Sequence, residues 1–379
     1  MISPAFFTQT LQSLGISFFA GVPDSLLKSL CAYLKMNVAP ADNITAANEG
    51  GAMALAAGHF LATGKPACVY MQNSGIGNAV NPLLSLLDSD VYSIPALLVI
   101  GWRGMPGVHD EPQHVKQGRV TTDLLDAMEM PYTVLADNEA DARRQIEMAV
   151  SFIKDTGRQM ALIVRKGTFE PYSLPAAEPS ALPCREEAIR TIISSMPRDT
   201  AFVGTTGMIS RELFELRVST GTSHESDFLT VGSMGHASQI ALAIALAQPR
   251  RHVACLDGDG AFIMHTGGAT IIGSLAPRNL LHFVLNNGAH DSVGGQDTVG
   301  FRIDIPAIAR ACGYAQAACI DTLDNLQTQI AAMLASDAGP NLLEVKVRKG
   351  ARPDLGRPTT TPIQNRDTFM SFLHQPINR

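Results

Sequence analysis

A chain of 379 residues, 46% of them hydrophobic and 32 of them glycine, excludes a disordered or collagenous polymer and has length for two or three domains. Lys plus Arg number 29 against 35 Asp plus Glu, for a net charge of −6, so no global positive field exists to hold nucleic acid or an anionic membrane, and any anionic ligand must be held locally. Only 17% of the residues are charged, which leaves extensive surface to bury within and between subunits, so a homo-oligomer is expected. The six cysteines (Cys31, Cys68, Cys184, Cys255, Cys312, Cys319) form no C-x-x-C pair, which favours reduced thiols over a zinc or iron–sulfur site. The first residues lack a basic leader and a long apolar core, and no stretch approaches the roughly 20 apolar residues of a membrane span. A cytoplasmic protein is expected, with neither a membrane nor a nucleic-acid partner.

In chain order, short apolar runs alternate with helix-period segments, the pattern of an α/β fold with helix-covered parallel sheets. Strands are predicted over 16–20, 43–47, 66–71, 96–101, 131–135 and 160–165, with helices over 24–35, 49–63, 76–88, 120–128 and 138–154. Gly101 to Arg119 (GWRGMPGVHDEPQHVKQGR) reads as a long polar loop. Glu170 to Pro183 carries four prolines and no periodicity, which marks a linker. Beyond it come a helix over 185–196 and strands over 200–204, 228–231, 252–256, 280–286, 315–319 and 341–347. The tail reads as an extended arm with a short terminal helix. The expected layout is therefore a domain over 1–169, a linker over 170–184, a second domain over 185–350 and an arm over 351–379.

The halves echo each other. Ala54-Leu55-Ala56 precedes Ala67-Cys68-Val69 by the same interval that separates Ala241-Leu242-Ala243 from Ala254-Cys255-Leu256, and V-R-K-G recurs at Val164–Gly167 and Val347–Gly350. Together these matches favour two related α/β units of ordinary domain size.

The chemistry concentrates where predicted strands end. One runs into Asp257-Gly258-Asp259-Gly260-Ala261 and another into Asn286-Asn287-Gly288-Ala289-His290. Ligands in such sheets bind at the carboxyl ends of strands. Asp259 and Asn287 offer the oxygen ligands that Mg²⁺ takes beside phosphate and water, while Gly258 and Gly260 let backbone approach a phosphate. G-D-G followed at this distance by N-N resembles the thiamine diphosphate-dependent enzymes. That resemblance implies two domains of the thiamine diphosphate-binding fold, with Asp259, Asn287 and the Ala289 carbonyl as Mg²⁺ ligands. It makes Glu49 the carboxylate that exchanges a proton with the cofactor's aminopyrimidine, and Met234, within Gly232-Ser233-Met234-Gly235, the apolar support beneath the bent cofactor. Gly204, Thr205, Thr206, Asn73 and His290 are further cofactor contacts.

Gly21–Ser25, Asn73–Leu83, the G-V-H-D-E-P-Q-H loop and N-N-G-A-H-D-S-V-G-G-Q are similar to the thiamine-dependent decarboxylases acting on phosphonopyruvate and on sulfopyruvate, across nearly the whole chain. The linker leaves no room for the third, central domain of the longer pyruvate decarboxylases and acetolactate synthases. The resemblance implies conversion of a small anionic 2-oxo acid, 3-phosphonopyruvate, to phosphonoacetaldehyde and carbon dioxide, a step of phosphonate biosynthesis. Sulfopyruvate, giving sulfoacetaldehyde, is the alternative substrate. It also implies active sites shared between subunits of at least a dimer. Asp24, Ser25, His109, His114 and Asp291 are catalytic candidates; Arg103, His109, His114, His290 and Ser292 are candidates for the substrate's anionic group.

Two other readings compete. Gly75-Ile76-Gly77 after a strand suggests a dinucleotide fingerprint, but its third glycine is Val80 and no acid follows at the required spacing. A non-catalytic thiamine diphosphate-binding protein would have no use for Glu49.

Overall fold

The computed structural model describes residues 1–175 and 179–377; residues 176–178 of the predicted linker and 378–379 of the arm lie outside the described set. The chain divides into two compact units, Met1–Ala176 with Ser292–Gln296, and Ala177–Asp291 with Asp297–Arg379.

The first unit holds six parallel strands: β1 (Phe19–Gly21), β2 (Asn43–Thr45), β3 (Ala67–Gln72), β4 (Ala96–Gly101), β5 (Tyr132–Val134) and β6 (Gln159–Val164), in the order β2-β1-β3-β4-β6-β5. The second holds β7 (Ala201–Gly204), β8 (Asp227–Leu229), β9 (Val253–Gly258), β10 (Leu280–Asn286), β11 (Gln316–Ile320) and β12 (Asn341–Lys346), in the order β8-β7-β9-β10-β12-β11, also parallel. Adding six to each number of the first order yields the second. The internal sequence matches fall at equivalent places: Cys68 in β3 against Cys255 in β9, and Leu55 in the helix Glu49–Thr63 against Leu242 in the helix Ala237–Ala247.

Central strands are apolar throughout because helices cover both faces. In the first unit Cys68, Tyr70, Leu97, Val99, Leu162 and Val164 point into one core, and Val69, Met71, Leu98, Ile100, Ala161 and Ile163 into the other. The two-residue side-chain period supplies both cores from the same strands. In the second unit Phe202, Leu256, Phe283 and Val345 face one core, and Val203, Cys255, Val284 and Leu342 the opposite one. The arm is anchored. Asn365, in the terminal helix Pro362–Leu373, accepts from Leu229 N (3.0 Å) and donates to Asp227 O (2.8 Å), capping the free edge of β8.

Two predicted elements need correction. The helix expected over 24–35 is Lys28–Asn37, because the preceding residues form a turn in which Asp24 Oδ2 accepts from Leu26 N (2.9 Å). The helix expected over 120–128 is Pro112–Ala127, so half of the supposed loop is helical. Some of its polar groups are bonded within the segment. Trp102 Nε1 donates to Gly118 O (2.8 Å), and a Cβ on Gly118 would lie 1.7 Å from Gly104 O, a contact only glycine permits.

Candidate active site

Glu49 opens the helix after β2. Asn48, the N-cap, accepts from Gly51 N (2.8 Å), and this fixes the Glu49 carboxyl in the first helical turn, where it is buried. Asn78 Nδ2 donates to Oε2 (2.8 Å), and a Cβ at position 75 would stand 2.4 Å from Oε1. Gly75 is therefore a seat for the glutamate, which explains a glycine that the sequence could only associate with a fingerprint. Burial raises the Glu49 pKa against the opposing Asn78 hydrogen bond.

In the same unit, β1 and β3 flank the point where strand order reverses, the usual position of a ligand crevice. Asp24 follows β1 and is fully buried; Gln72 at the end of β3 donates to its Oδ1 (3.1 Å). Burial raises its pKa from 3.8 to about 6, with Leu26 N and Arg103 pulling the other way. Arg103, after β4, grips Asp110 with both Nε (2.8 Å) and Nη2 (2.5 Å), and its Nη1 donates to Ser25 Oγ (2.6 Å). Asp110 also meets His114 Nδ1 (2.9 Å). Burial alone would raise the Asp110 pKa, but the Arg103 and His114 hydrogen bonds hold it well below the usual carboxylate range; burial lowers that of His114.

Sequence reasoning named Asp24, Ser25, Arg103 and His114 as separate candidates; the structure joins Ser25 to Arg103, and Arg103 to His114 through Asp110, a shared partner that sequence reasoning did not single out. His109 is exposed, and so is Ser292, which groups with this unit. Asn73, expected at the cofactor, is buried with its amide directed at Arg103 O (2.8 Å), Arg103 N (3.2 Å) and Thr121 Oγ1 (2.9 Å); it clasps the start of the β4 loop.

The second unit has its order reversal between β7 and β9. Gly204-Thr205-Thr206-Gly207 leaves β7, Gly207 adopts φ 95°, and the helix Met208–Thr220 begins. Thr205 N donates to Leu256 O (2.8 Å), while its buried Oγ1 has no hydrogen-bond partner among the described residues; Thr206 Oγ1 donates to Val231 O (2.8 Å). Gly258-Asp259-Gly260-Ala261 leaves β9 into the short helix Asp259–Met264. A Cβ at Gly260 would meet His290 Cε1 at 2.8 Å and Met234 Cε at 3.2 Å, so the Met234 methyl and the His290 ring converge over bare backbone. Met234 sits in a loop made possible by Ser233 at φ 53° and Gly235 at φ 84°. Gly232 is half-buried in the same loop.

Asp259 and Asn287 are brought together: Asn287 N–H hydrogen-bonds the Asp259 carboxylate, whose Oδ2 also accepts from Thr298 Oγ1. Burial raises the Asp259 pKa to about 6 against these bonds. Asn287 Oδ1 accepts from Ala289 N (3.1 Å), and burial pushes His290 down to about 4. Thr298 and Gly300 escaped sequence reasoning; a Cβ at Gly300 would lie 2.6 Å from Asp259 Oδ2 and from Asn286 Oδ1, a constraint visible only in three dimensions. Cys255, Asp257 and His282 also cluster, but His282 is spent on Tyr314 Oη (3.0 Å) and Asp257 Oδ2 (3.4 Å), so the group is a hydrogen-bonded piece of core.

The two units share one strand order, with buried carboxyl groups at the strand ends of the first and an oxygen-rich glycine turn at those of the second. Residues 5–130 match the model of the thiamine pyrophosphate enzyme N-terminal TPP binding domain, and 203–345 that of the C-terminal TPP binding domain. The chain is 38% identical to a phosphonopyruvate decarboxylase of Streptomyces viridochromogenes, over 99% of this chain and 96% of that one. It is 36% identical to that of Streptomyces hygroscopicus (99% and 95%), and 27% identical to a sulfopyruvate decarboxylase of Methanosarcina acetivorans (84% of each). The chain belongs to the thiamine pyrophosphate enzymes, among the decarboxylases of that family.

The residues fit the coenzyme. A buried Thr205 hydroxyl with no partner among the described residues and a glycine surface under Met234 and His290 are what a diphosphate and a bent ring system would fill. Among the described residues no helix is long and apolar enough to cross a membrane, and all six cysteines are free.

Proposed function

We propose that this enzyme decarboxylates 3-phosphonopyruvate to phosphonoacetaldehyde and carbon dioxide. The observation that carries this reading is the 38% identity to a phosphonopyruvate decarboxylase along essentially the full length of both chains. The sulfopyruvate decarboxylase matches at 27% over 84%, which makes sulfopyruvate the second substrate to test.

When bound, thiamine diphosphate supplies the electron sink that a departing carboxylate requires. The chain's residues divide the remaining work. Asp259, Asn287 Oδ1 and the Ala289 carbonyl would hold Mg²⁺; Gly258, Gly260, Ala261, Gly204 and the Thr205 and Thr206 hydroxyls would receive the diphosphate. Met234, between Gly232-Ser233 and Gly235, would support the rings, with His290 kept neutral beside them. Glu49, desolvated and steered by Asn78, would hold and pass the proton on the aminopyrimidine side. Asp24, neutral up to about pH 6, is suited to proton delivery toward product. Arg103, fixed by Asp110 and Ser25, with His114 beside it and His109 and Ser292 on exposed backbone, would receive the phosphonate.

The same reading includes a cytoplasmic homo-oligomer, at least a dimer, in which the Glu49 unit of one subunit serves the Asp259 unit of another, and a place in phosphonate biosynthesis. Low charge content and the family resemblance support the assembly. The test is a side-by-side assay of the purified protein with Mg²⁺ and thiamine diphosphate on phosphonopyruvate, sulfopyruvate and pyruvate. Phosphonopyruvate is expected to give the highest kcat/KM, and preference for pyruvate overturns the assignment.

A further inference from the structure

Asp291 stands four residues beyond Asn287, yet its carboxylate is turned into the protein. A single oxygen, Oδ2, accepts from Asn287 Nδ2 (2.6 Å), Arg185 Nη1 (2.9 Å) and Gly350 N (3.0 Å). Arg185 is buried, and the other edge of its guanidinium lies on Glu212, Nε to Oε2 at 2.8 Å and Nη2 to Oε1 at 2.9 Å. That fork has one orientation, because swinging toward any other partner would strand the buried Glu212 carboxylate. Gly350, at φ 93°, presents its N–H from the end of the V-R-K-G segment after β12. Asp291 is thus clamped by two elements remote in sequence, the first turn of the helix Arg185–Ser195 and the 348–350 turn.

The consequence falls on Asn287. An amide has one accepting and one donating end, and a carboxylate can only accept. The clamped Asp291 oxygen therefore compels the Asn287 NH₂ to face it, which turns Oδ1 to the opposite side, toward the 287–289 turn. The Asn287 backbone N–H meanwhile holds Asp259. We infer that Asp291, braced by Arg185, is a positioning residue that turns the Asn287 amide so that its oxygen faces the cation. This rests on the proposed metal site and assigns Asp291 a task other than contact with substrate.

The test uses the full-length protein with thiamine diphosphate and Mn²⁺ as the probe, free Mn²⁺ being read by electron paramagnetic resonance, alongside the metal-free melting temperature. Outer-sphere partners of metal ligands typically carry about 10–100-fold in metal affinity. Asp291→Ala is expected to weaken Mn²⁺ binding by that factor. Asp291→Asn, which keeps an accepting oxygen for all three donors, is expected to recover most of the loss. Should Asp291→Ala not fold, Asp291→Ser takes its place, since its short hydroxyl keeps the site polar without reaching Asn287.

A truncated variant that melts lower yet binds Mn²⁺ within twofold of the parent shows a mere structural staple and overturns the inference; so does Asp291→Asn binding as weakly as Asp291→Ala. If the parent itself binds no Mn²⁺ with the coenzyme, the metal site fails first and this role with it.

Discussion

The two units share one strand order and one crevice position, and they use that position in opposite ways. In the first, the polar residues at the strand ends are mutually satisfied: Asp24 after β1 is held by Gln72 and Leu26 N, and Glu49 after β2 by Asn78. In the second, the residues after β7 and β9 include a buried hydroxyl with no partner among the described residues and glycines that leave backbone bare. Both units desolvate a carboxyl at a strand end, Asp24 in one and Asp259 in the other, but the first pairs its polar side chains among themselves while the second leaves a hydroxyl and bare backbone for a ligand. The lesson is that a duplicated scaffold fixes where chemistry can sit, and the few residues at the strand ends decide which chemistry it is.

The sharpest way to break this division is Glu49→Gln. It should lower kcat by about 10³-fold, within the range of a positioned acid–base group, while coenzyme retention after gel filtration stays at the parental level. Asp259→Asn should do the reverse of that second readout: cation-dependent retention of the coenzyme disappears, with an affinity loss at least as large as the roughly 10–100-fold of outer-sphere changes. If Glu49→Gln sheds coenzyme and Asp259→Asn keeps it, the roles of the two units are exchanged.

Asp24 gives a smaller effect that depends on pH. Its carboxyl titrates near 3.8 when unfolded and about 6 when buried, so its stability contribution is full below pH 4, falls as pH rises from about 4 to about 6, and stays low above that. Asp24→Asn should therefore raise stability at pH 8 by up to about 3 kcal/mol and have no such effect at pH 3.5, in urea unfolding followed at both values. A pH-independent difference would mean that desolvation is not the cause. The smallest effect belongs to Thr205→Val. Removing an unsatisfied buried hydroxyl should stabilise the coenzyme-free protein by about 1 kcal/mol and weaken coenzyme binding by about tenfold. Destabilisation of the coenzyme-free protein would show that the hydroxyl is already satisfied.

The candidate residues were proposed from strand-end motifs, and the structure puts Asp259 and Asn287 directly after the apolar strands β9 and β10, while Glu49 opens the helix that follows the short, half-buried β2. Gly75 was legible only as a glycine after a strand, since its reason is the carboxyl lying on it. The polar segment 101–119 was misread as an open loop: hydrophilic residues look solvated in one dimension, but Asp110 pairs with Arg103 and hydrogen-bonds His114, and a helix starts at Pro112.

The sequence by itself determined the α/β class, the duplication and the identities of the acid, amide and glycine residues, because side-chain period and strand-end motifs are local in the chain. The tertiary structure alone decided which groups share hydrogen bonds. Arg185, Glu212, Gly350 and Asp291 meet around Asn287, and Thr298 meets Asp259, across separations that no short-range pattern encodes. Burial, which raises the pKa of Glu49, Asp24 and Asp259, likewise exists only once the helices close over both faces of each sheet.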